Sequence, residues 1–161
     1  MEPIETAVAS RPVAFPYVPG LLTFREAPAV LAACAEVESE PDLLLFDGQG
    51  YAHPRRFGLA SHLGLVLDRP SIGCAKSRLV GRFEEPERVF GAHTPLVDRG
   101  EVVGAAVRSR PRHAPLFVSP GHMLSVETAV ALALACCRDG AFLPVPTRLA
   151  HAAVTARARG G

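Results

Sequence analysis

Two short apolar runs constrain the fold of this chain more than any other feature. Asp42-Leu43-Leu44-Leu45-Phe46 and Ser71-Ile72-Gly73-Cys74-Ala75 do not alternate between apolar and polar residues. A strand with one wet face would alternate, so each run needs cover on both faces, as a central strand of a parallel sheet has. Between them, Phe57 to Leu67 reads as a helix stopped before Pro70. The first run ends in Asp47-Gly48-Gln49-Gly50, a polar glycine-rich loop, and the second ends at Lys76.

The rest of the chain fits around that unit. Residues 1–12 form a polar lead-in, and Val13-Ala14-Phe15 reads as the end of a strand. Pro16-Tyr17-Val18-Pro19-Gly20 must be a rigid turn, because two prolines fix φ and a glycine frees it. Thr23-Phe24-Arg25-Glu26 has the pattern of a capping box, with apolar residues at helical spacing through Val37. Residues 82–94 are charged and irregular. Pro95 to Val97 and Val102 to Val107 predict a hairpin about Asp98-Arg99-Gly100-Glu101, and Pro115 to Ser119 a further strand. Ser125 is placed to cap a helix running to about Arg138, with Gly140 as its stop, and Thr147 to cap a short last helix with an Arg-rich tail. No repeat or linker divides the sequence, so one α/β domain over residues 1–161 with a mixed sheet is expected.

Composition narrows the function classes. With 48% hydrophobic and 20% charged residues, the chain is globular rather than disordered. A net charge of +1 announces no polyanionic partner, so any nucleic-acid function must rest on a local site. No apolar run approaches a membrane span, and Met1 to Arg11 lacks the basic and apolar regions of a secretory signal. A cytoplasmic protein without membrane contact is expected. Cys34, Cys74, Cys136 and Cys137 form no CxxC pair and read as reduced, mostly buried residues.

In open α/β sheets ligands gather at the carboxyl ends of the strands. Asp47 and Lys76 close the two apolar strands, His53 follows Asp47 in the loop, and Glu26 lies early in the preceding helix. Carboxylates hold hard cations such as Mg²⁺, and a lysine offsets phosphate charge, so the set suits phosphoryl transfer. Each residue also has a plain alternative. Glu26 can complete its capping box, Asp47 can be a turn residue before glycine, and Lys76 a solvated strand end. His53, His122 and His151, like His62, His93 and His113, can be packing or surface residues.

Longer motifs carry a resemblance. Pro16 to Leu22 with Phe24-Arg25-Glu26 resembles the segment PY(I/V)PGxLxFRE of the endonuclease V family. Asp47-Gly48-Gln49-Gly50 with His53-Pro54-Arg55 and Gly58 to His62 resembles its DGxGxxHPRxxGxASH motif. Ile72-Gly73-Cys74-Ala75-Lys76 with Arg78-Leu79 resembles (I/V)GVAKxxL. Ser119-Pro120-Gly121-His122 and Pro146-Thr147-Arg148-Leu149-Ala150-His151 match the two C-terminal motifs, and the order is kept from about residue 13 to 155. The resemblance implies an RNase H-like fold, a mixed central sheet flanked by helices. It implies Mg²⁺-dependent (or Mn²⁺-dependent) cleavage of the second phosphodiester bond on the 3′ side of deoxyinosine in DNA, with inosine in RNA the target of animal members. On that likeness Asp47 and Glu26 are the metal ligands, Lys76 positions the attacked phosphate, and His53 and His151 lie near metal and phosphate. Tyr17 is the wedge that fills the gap left by the extruded base, which rigid prolines suit because unstacking costs a few kcal/mol. Gly20, Leu22, Gly58, Leu59 and Leu79 line the hypoxanthine pocket.

The likeness departs in one place. Members of the family carry a further catalytic aspartate on a first strand upstream of the proline-rich turn, whereas only residues 1–15 precede Pro16 here, with Glu2 and Glu5 their only acids. The expectation is therefore a domain lacking its N-terminal strand or strands, weak Mg²⁺ binding, and an unpaired edge beside Leu43 to Phe46. A monomer is expected of a complete chain. The alternative function is an inactive remnant that still binds inosine-containing nucleic acid.

Overall fold

The computed structural model describes residues 1–137 and 140–160. The elements in chain order are α1 (Leu22–Cys34), β1 (Leu44–Phe46), α2 (Leu59–Leu67), β2 (Ser71–Ala75), β3 (His93–Asp98), β4 (Glu101–Val107), β5 (Leu116–His122), α3 (Val126–Ala135) and α4 (Val145–Gly160). Five strands form one mixed sheet in the order β1-β2-β5-β4-β3. The two apolar runs lie side by side and parallel, with Leu45 opposite Ile72. Every other pairing is antiparallel.

Side-chain alternation builds two layers of core. Ile72 and Cys74 of β2 point the same way as Leu116 and Val118 of β5, onto Ala129, Val130 and Ala133 of α3. Ala75 and Phe117 point the other way, into a second cluster with Ala52, Leu96, Val103 and Ala106. Val103 and Ala105 differ by two positions yet face opposite layers. The cause is a bulge: Leu96 pairs with Gly104 but Val97 with Val102, so Val103 is the extra residue. β2 is buried at all five positions, as a central strand should be, whereas β1 is half-buried and ends the sheet among the described residues.

Several boundaries differ from expectation. Val13 to Phe15 forms no strand; Pro12 and Pro16 flank it and offer no N–H to a ladder. Thr23 is not a cap. The cap lies two residues earlier, at Leu21, which makes no side-chain bond, and Thr23 is buried inside the first turn, so Glu26 completes no capping box. α1 ends at Cys34 rather than Val37. Ser125 does cap α3, accepting from Thr128 N at 3.2 Å, but α3 ends at Ala135, and Arg138 lies outside the described residues. α4 is a 16-residue helix that begins at Val145, because Pro146 suits a first turn, where its missing N–H would have no partner. Thr147 instead donates its hydroxyl to the Pro144 carbonyl at 2.9 Å. The four cysteines are free thiols, with Cys74 and Cys137 buried; burial pushes the Cys74 thiol well up and that of Cys137 to about 11. Among the described residues no helix is long and apolar enough to cross a membrane.

Candidate active site

The loop that leaves β1 is pressed flat against its neighbours, and glycines make that possible. A Cβ on Gly73 of β2 would stand 2.6 Å from the Gly48 carbonyl oxygen, and one on Gly50 would run into the Pro120 carbonyl of β5. A Cβ on Gly58, at the N-terminus of α2, would stand 2.7 Å from the Gly50 carbonyl oxygen. All are far inside contact distance, so the backbone approach excludes any side chain there. Hydrogen bonds then fix the loop. Gly50 N donates to the buried Ser119 hydroxyl at 2.9 Å and Tyr51 N to the Pro120 carbonyl at 2.7 Å. Gly58 N and Ala60 N donate to the carbonyls of Gly50 and Gln49, both at 3.0 Å.

That frame presents the charges at the carboxyl ends of the parallel pair. Lys76 Nζ meets Asp47 Oδ2 at 2.6 Å, with both side chains partly open to solvent. Glu26, from the second turn of α1, is half-buried beside them. Its carboxyl is pushed above the usual range, first by burial and then by the negative charge of Asp47. Asp47 and Lys76 are thus in direct contact, and Glu26 is near enough to feel the Asp47 charge. Among the described residues no third His, Cys, Asp or Glu joins the two carboxylates in a group able to hold a metal ion.

His53 is buried, and its Nδ1 accepts from Arg55 N at 3.2 Å. The ring proton therefore sits on Nε2, the nitrogen near Gly20. Burial, then the Arg55 charge, holds its pKa below the ordinary histidine value, against the opposing effect of a hydrogen bond to the Gly20 backbone. Arg55 also donates to the Gly20 carbonyl at 3.2 Å. The proline-rich turn is thus tied to the Asp47 loop through one carbonyl, with Gly20 at φ +77°.

Tyr17 projects from that turn and is 69% exposed; Leu22 and Leu79 are also exposed, whereas Gly58 and Leu59 are buried. A ladder of rings, Phe15 on Phe24, Phe24 on His62 and His62 on Phe57, continues from the turn across α1 and α2. His151 stands on an exposed position of α4, which packs against β1. Among the described residues its ring makes no hydrogen bond or ion pair with Asp47, Glu26 or Lys76. His122 lies apart, 4.0 Å from Asp68. Sequence reasoning missed Ser119 as the anchor of Gly50, although it opens one of the motifs. It also missed Arg55 as the link to Gly20, although the triplet His53-Pro54-Arg55 pointed there.

Two carboxylates with a lysine at the mouth of a parallel strand pair define a protein suited to metal-assisted chemistry on phosphates. Comparison with known proteins gives the family. The Endonuclease V family model matches residues 1–152. The endonuclease V of Methanothrix thermoacetophila is 58% identical over 159 residues, covering 99% of this chain and 70% of that protein. The endonuclease V structure from Streptomyces avermitilis superposes with a TM-score of 0.86 at 42% identity, covering 92% of this chain and 64% of that one. That of Ciona intestinalis, solved in complex with a 23mer DNA containing an inosine followed by a ribo-adenosine, has a TM-score of 0.76 at 29% identity, over 92% of this chain and 69% of its own. The chain belongs to the Endonuclease V family and has its RNase H-like fold. It spans roughly two thirds of the length of these relatives.

Proposed function

We propose that this chain carries the substrate-recognition and most of the metal-site machinery of a nuclease that cuts DNA on the 3′ side of deoxyinosine, at the second phosphodiester bond. The observation that carries the reading is Lys76 Nζ 2.6 Å from Asp47 Oδ2 at the carboxyl ends of the parallel strands, with Glu26 near enough to feel the Asp47 charge. The donor set fits Mg²⁺, an ion typically held by one or two carboxylates plus water and substrate phosphates. Lys76 on Asp47 already shows a cation accommodated at that carboxylate. Glu26 and Asp47 would hold the ion, which when bound supplies charge for the phosphate and an activated water. Mn²⁺ has similar demands.

The chain's own groups do the rest. Lys76 offsets charge on the scissile phosphate. His53, its pKa lowered first by burial, and Arg55, which donates to the Gly20 carbonyl, would keep the proline-rich turn in register with the Asp47 loop. His151 is assigned to the phosphate side of the site on motif likeness alone. Tyr17, exposed on a turn stiffened by Pro16 and Pro19, is shaped to fill a vacated base position. Gly20, Leu22, Gly58, Leu59 and Leu79 would receive the flipped base; the glycines there let backbone groups reach its edge. Inosine in RNA offers the same base edge.

The exposed ring of Tyr17 favours a second reading, inosine-dependent binding without cleavage, because stacking on a base needs no metal. A cleavage and binding assay with Mg²⁺ or Mn²⁺ on an inosine-containing strand tests both. Metal-dependent cuts that vanish in Asp47→Ala support the nuclease. Binding that prefers inosine with no cuts supports the second reading, and equal affinity for unmodified strands removes both.

A further inference from the structure

We propose that Arg56 and Glu101 form a brace that positions the His53 segment of the site, a role that rests on the nuclease reading above. Arg56 sits in the left-handed region at φ +56°, which side chains other than glycine rarely adopt, so its surroundings must hold it there. They do so through its guanidinium. Nη1 reaches the His53 carbonyl at 3.1 Å and Asp98 Oδ2 at 2.8 Å. Nη2 donates to the Asp98 carbonyl at 3.2 Å, and Nε to Glu101 Oε2 at 2.9 Å. The second oxygen of Glu101 accepts the Tyr51 hydroxyl at 2.6 Å, and the Tyr51 ring lies under the guanidinium, 5.7 Å from centroid to Cζ.

One carboxylate therefore gathers both residues that flank Ala52-His53-Pro54-Arg55. On its other side the same segment touches the proline-rich turn through Arg55 and His53. The hairpin makes this possible. Arg99 and Gly100 both have positive φ, a two-residue turn that sets Asp98 directly opposite Glu101. Like charges opposite one another oppose pairing. Arg56 lies between them, with Arg99 a weaker neighbour 3.8 Å from Asp98. Glu101 is held below the usual carboxylate range, first by the Tyr51 hydrogen bond and then by that of Arg56. The Arg56–Asp98 pair is largely shielded and the Arg56–Glu101 pair is open on its carboxylate side. What a forked guanidinium does well is fix geometry, and misplacement of a site segment by about 1 Å can cost 100-fold in rate.

The test uses the 161-residue chain with Arg56→Gly, Arg56→Lys and Glu101→Gln. Glycine keeps the left-handed backbone free of strain while deleting the guanidinium, which separates the two effects. Amide exchange of residues 51–56 and the His53 ring nitrogen shifts are read by NMR. Single-turnover cleavage and affinity are read on an inosine-containing strand with Mn²⁺. In Arg56→Gly and Glu101→Gln, residues 51–56 should exchange faster and the ring shifts move, while the β2 amides keep their protection. Cleavage should slow by roughly 10- to 100-fold with affinity within about 3-fold, and Arg56→Lys should recover part of the loss. Unchanged exchange and ring shifts in both variants overturn the brace, as does a fall in affinity equal to the fall in rate. If the wild-type chain cuts nothing, the nuclease reading fails by itself, and exchange with ring shifts still decides the brace.

Discussion

The Asp47 loop and the proline-rich turn are neighbours held in opposite ways. Residues 47–58 are pinned on three sides by backbone that glycines allow to approach, and by hydrogen bonds to β5 and α2. The turn at Pro16 to Gly20 is stiff within itself and meets the Asp47 loop through the Gly20 carbonyl, which accepts from Arg55. Asp47, paired with Lys76, sits on the first, and the exposed ring of Tyr17 sits on the second. Stiffness in the first comes from tertiary packing, in the second from proline. Mutations should therefore separate them: stability lives in the loop, substrate contact in the turn.

The largest expected effect tests the first half. In Gly50→Ala the new methyl meets the Pro120 carbonyl, and the strands must part to admit it. Overpacking of this kind costs about 1–3 kcal/mol, and the lost Ser119 and Pro120 bonds add to it. Urea denaturation should show a clearly lowered midpoint; a midpoint equal to wild type would mean the loop is not clamped. Next comes Asp47→Asn, with the reverse profile. Its ion pair with Lys76 is partly solvated, so stability should change by less than about 1 kcal/mol. Calorimetric Mn²⁺ binding should nonetheless be lost, and with it any cleavage. Retained binding would move the metal site off Asp47.

How much of this was legible depends on how far the deciding contacts reach along the chain. The paired strands at Leu45 and Ile72 were readable because burial on both faces writes itself locally as an unbroken apolar run. The position of Gly73 was visible as a motif, but not its reason, which lies in Gly48 and Gln49 across the strand pair. Thr23 and Glu26 matched a capping box by spacing alone. The cap lies two residues earlier, at Leu21 just after the turn at Pro19-Gly20, and a local pattern cannot see that. The candidate residues followed the same rule: Asp47 and Lys76 stand just past the ends of β1 and β2, and Glu26 early in α1. Arg56 and Glu101, 45 residues apart, carried no local sign of partnership.

Tyr17→Ala tests the other half of the comparison. With most of its ring in solvent, Tyr17 has little packing to lose, and the denaturation midpoint should hold within experimental scatter. Stacking of one base on an aromatic ring is worth about 1–3 kcal/mol, so affinity for an inosine-containing strand should fall by roughly 10-fold or more. A loss of stability with affinity unchanged would make Tyr17 a packing residue and erase the contrast between loop and turn.

The smallest effect lies between the two regions, at Glu26. Its carboxyl is raised above its ordinary value of 4.5, by burial first and by Asp47 second. A raised carboxyl means that the folded state disfavours the charge. Well below pH 4.5 neither folded nor unfolded chain carries it, and Glu26 costs nothing. As pH rises through the ordinary value the unfolded chain ionises first, and above the raised value the cost to the fold is complete. Glu26→Gln should therefore leave stability unchanged in acid and raise it slightly at neutral pH. A divalent ion held by Glu26 and Asp47 reverses the sign, because an ion at 100 times its Kd stabilises the wild-type fold by about 2.7 kcal/mol and the variant by less. Melting curves at neutral pH with and without Mg²⁺ should cross: the variant is the more stable without the ion and the less stable with it. If the variant is the less stable under both conditions, Glu26 serves the fold rather than a metal.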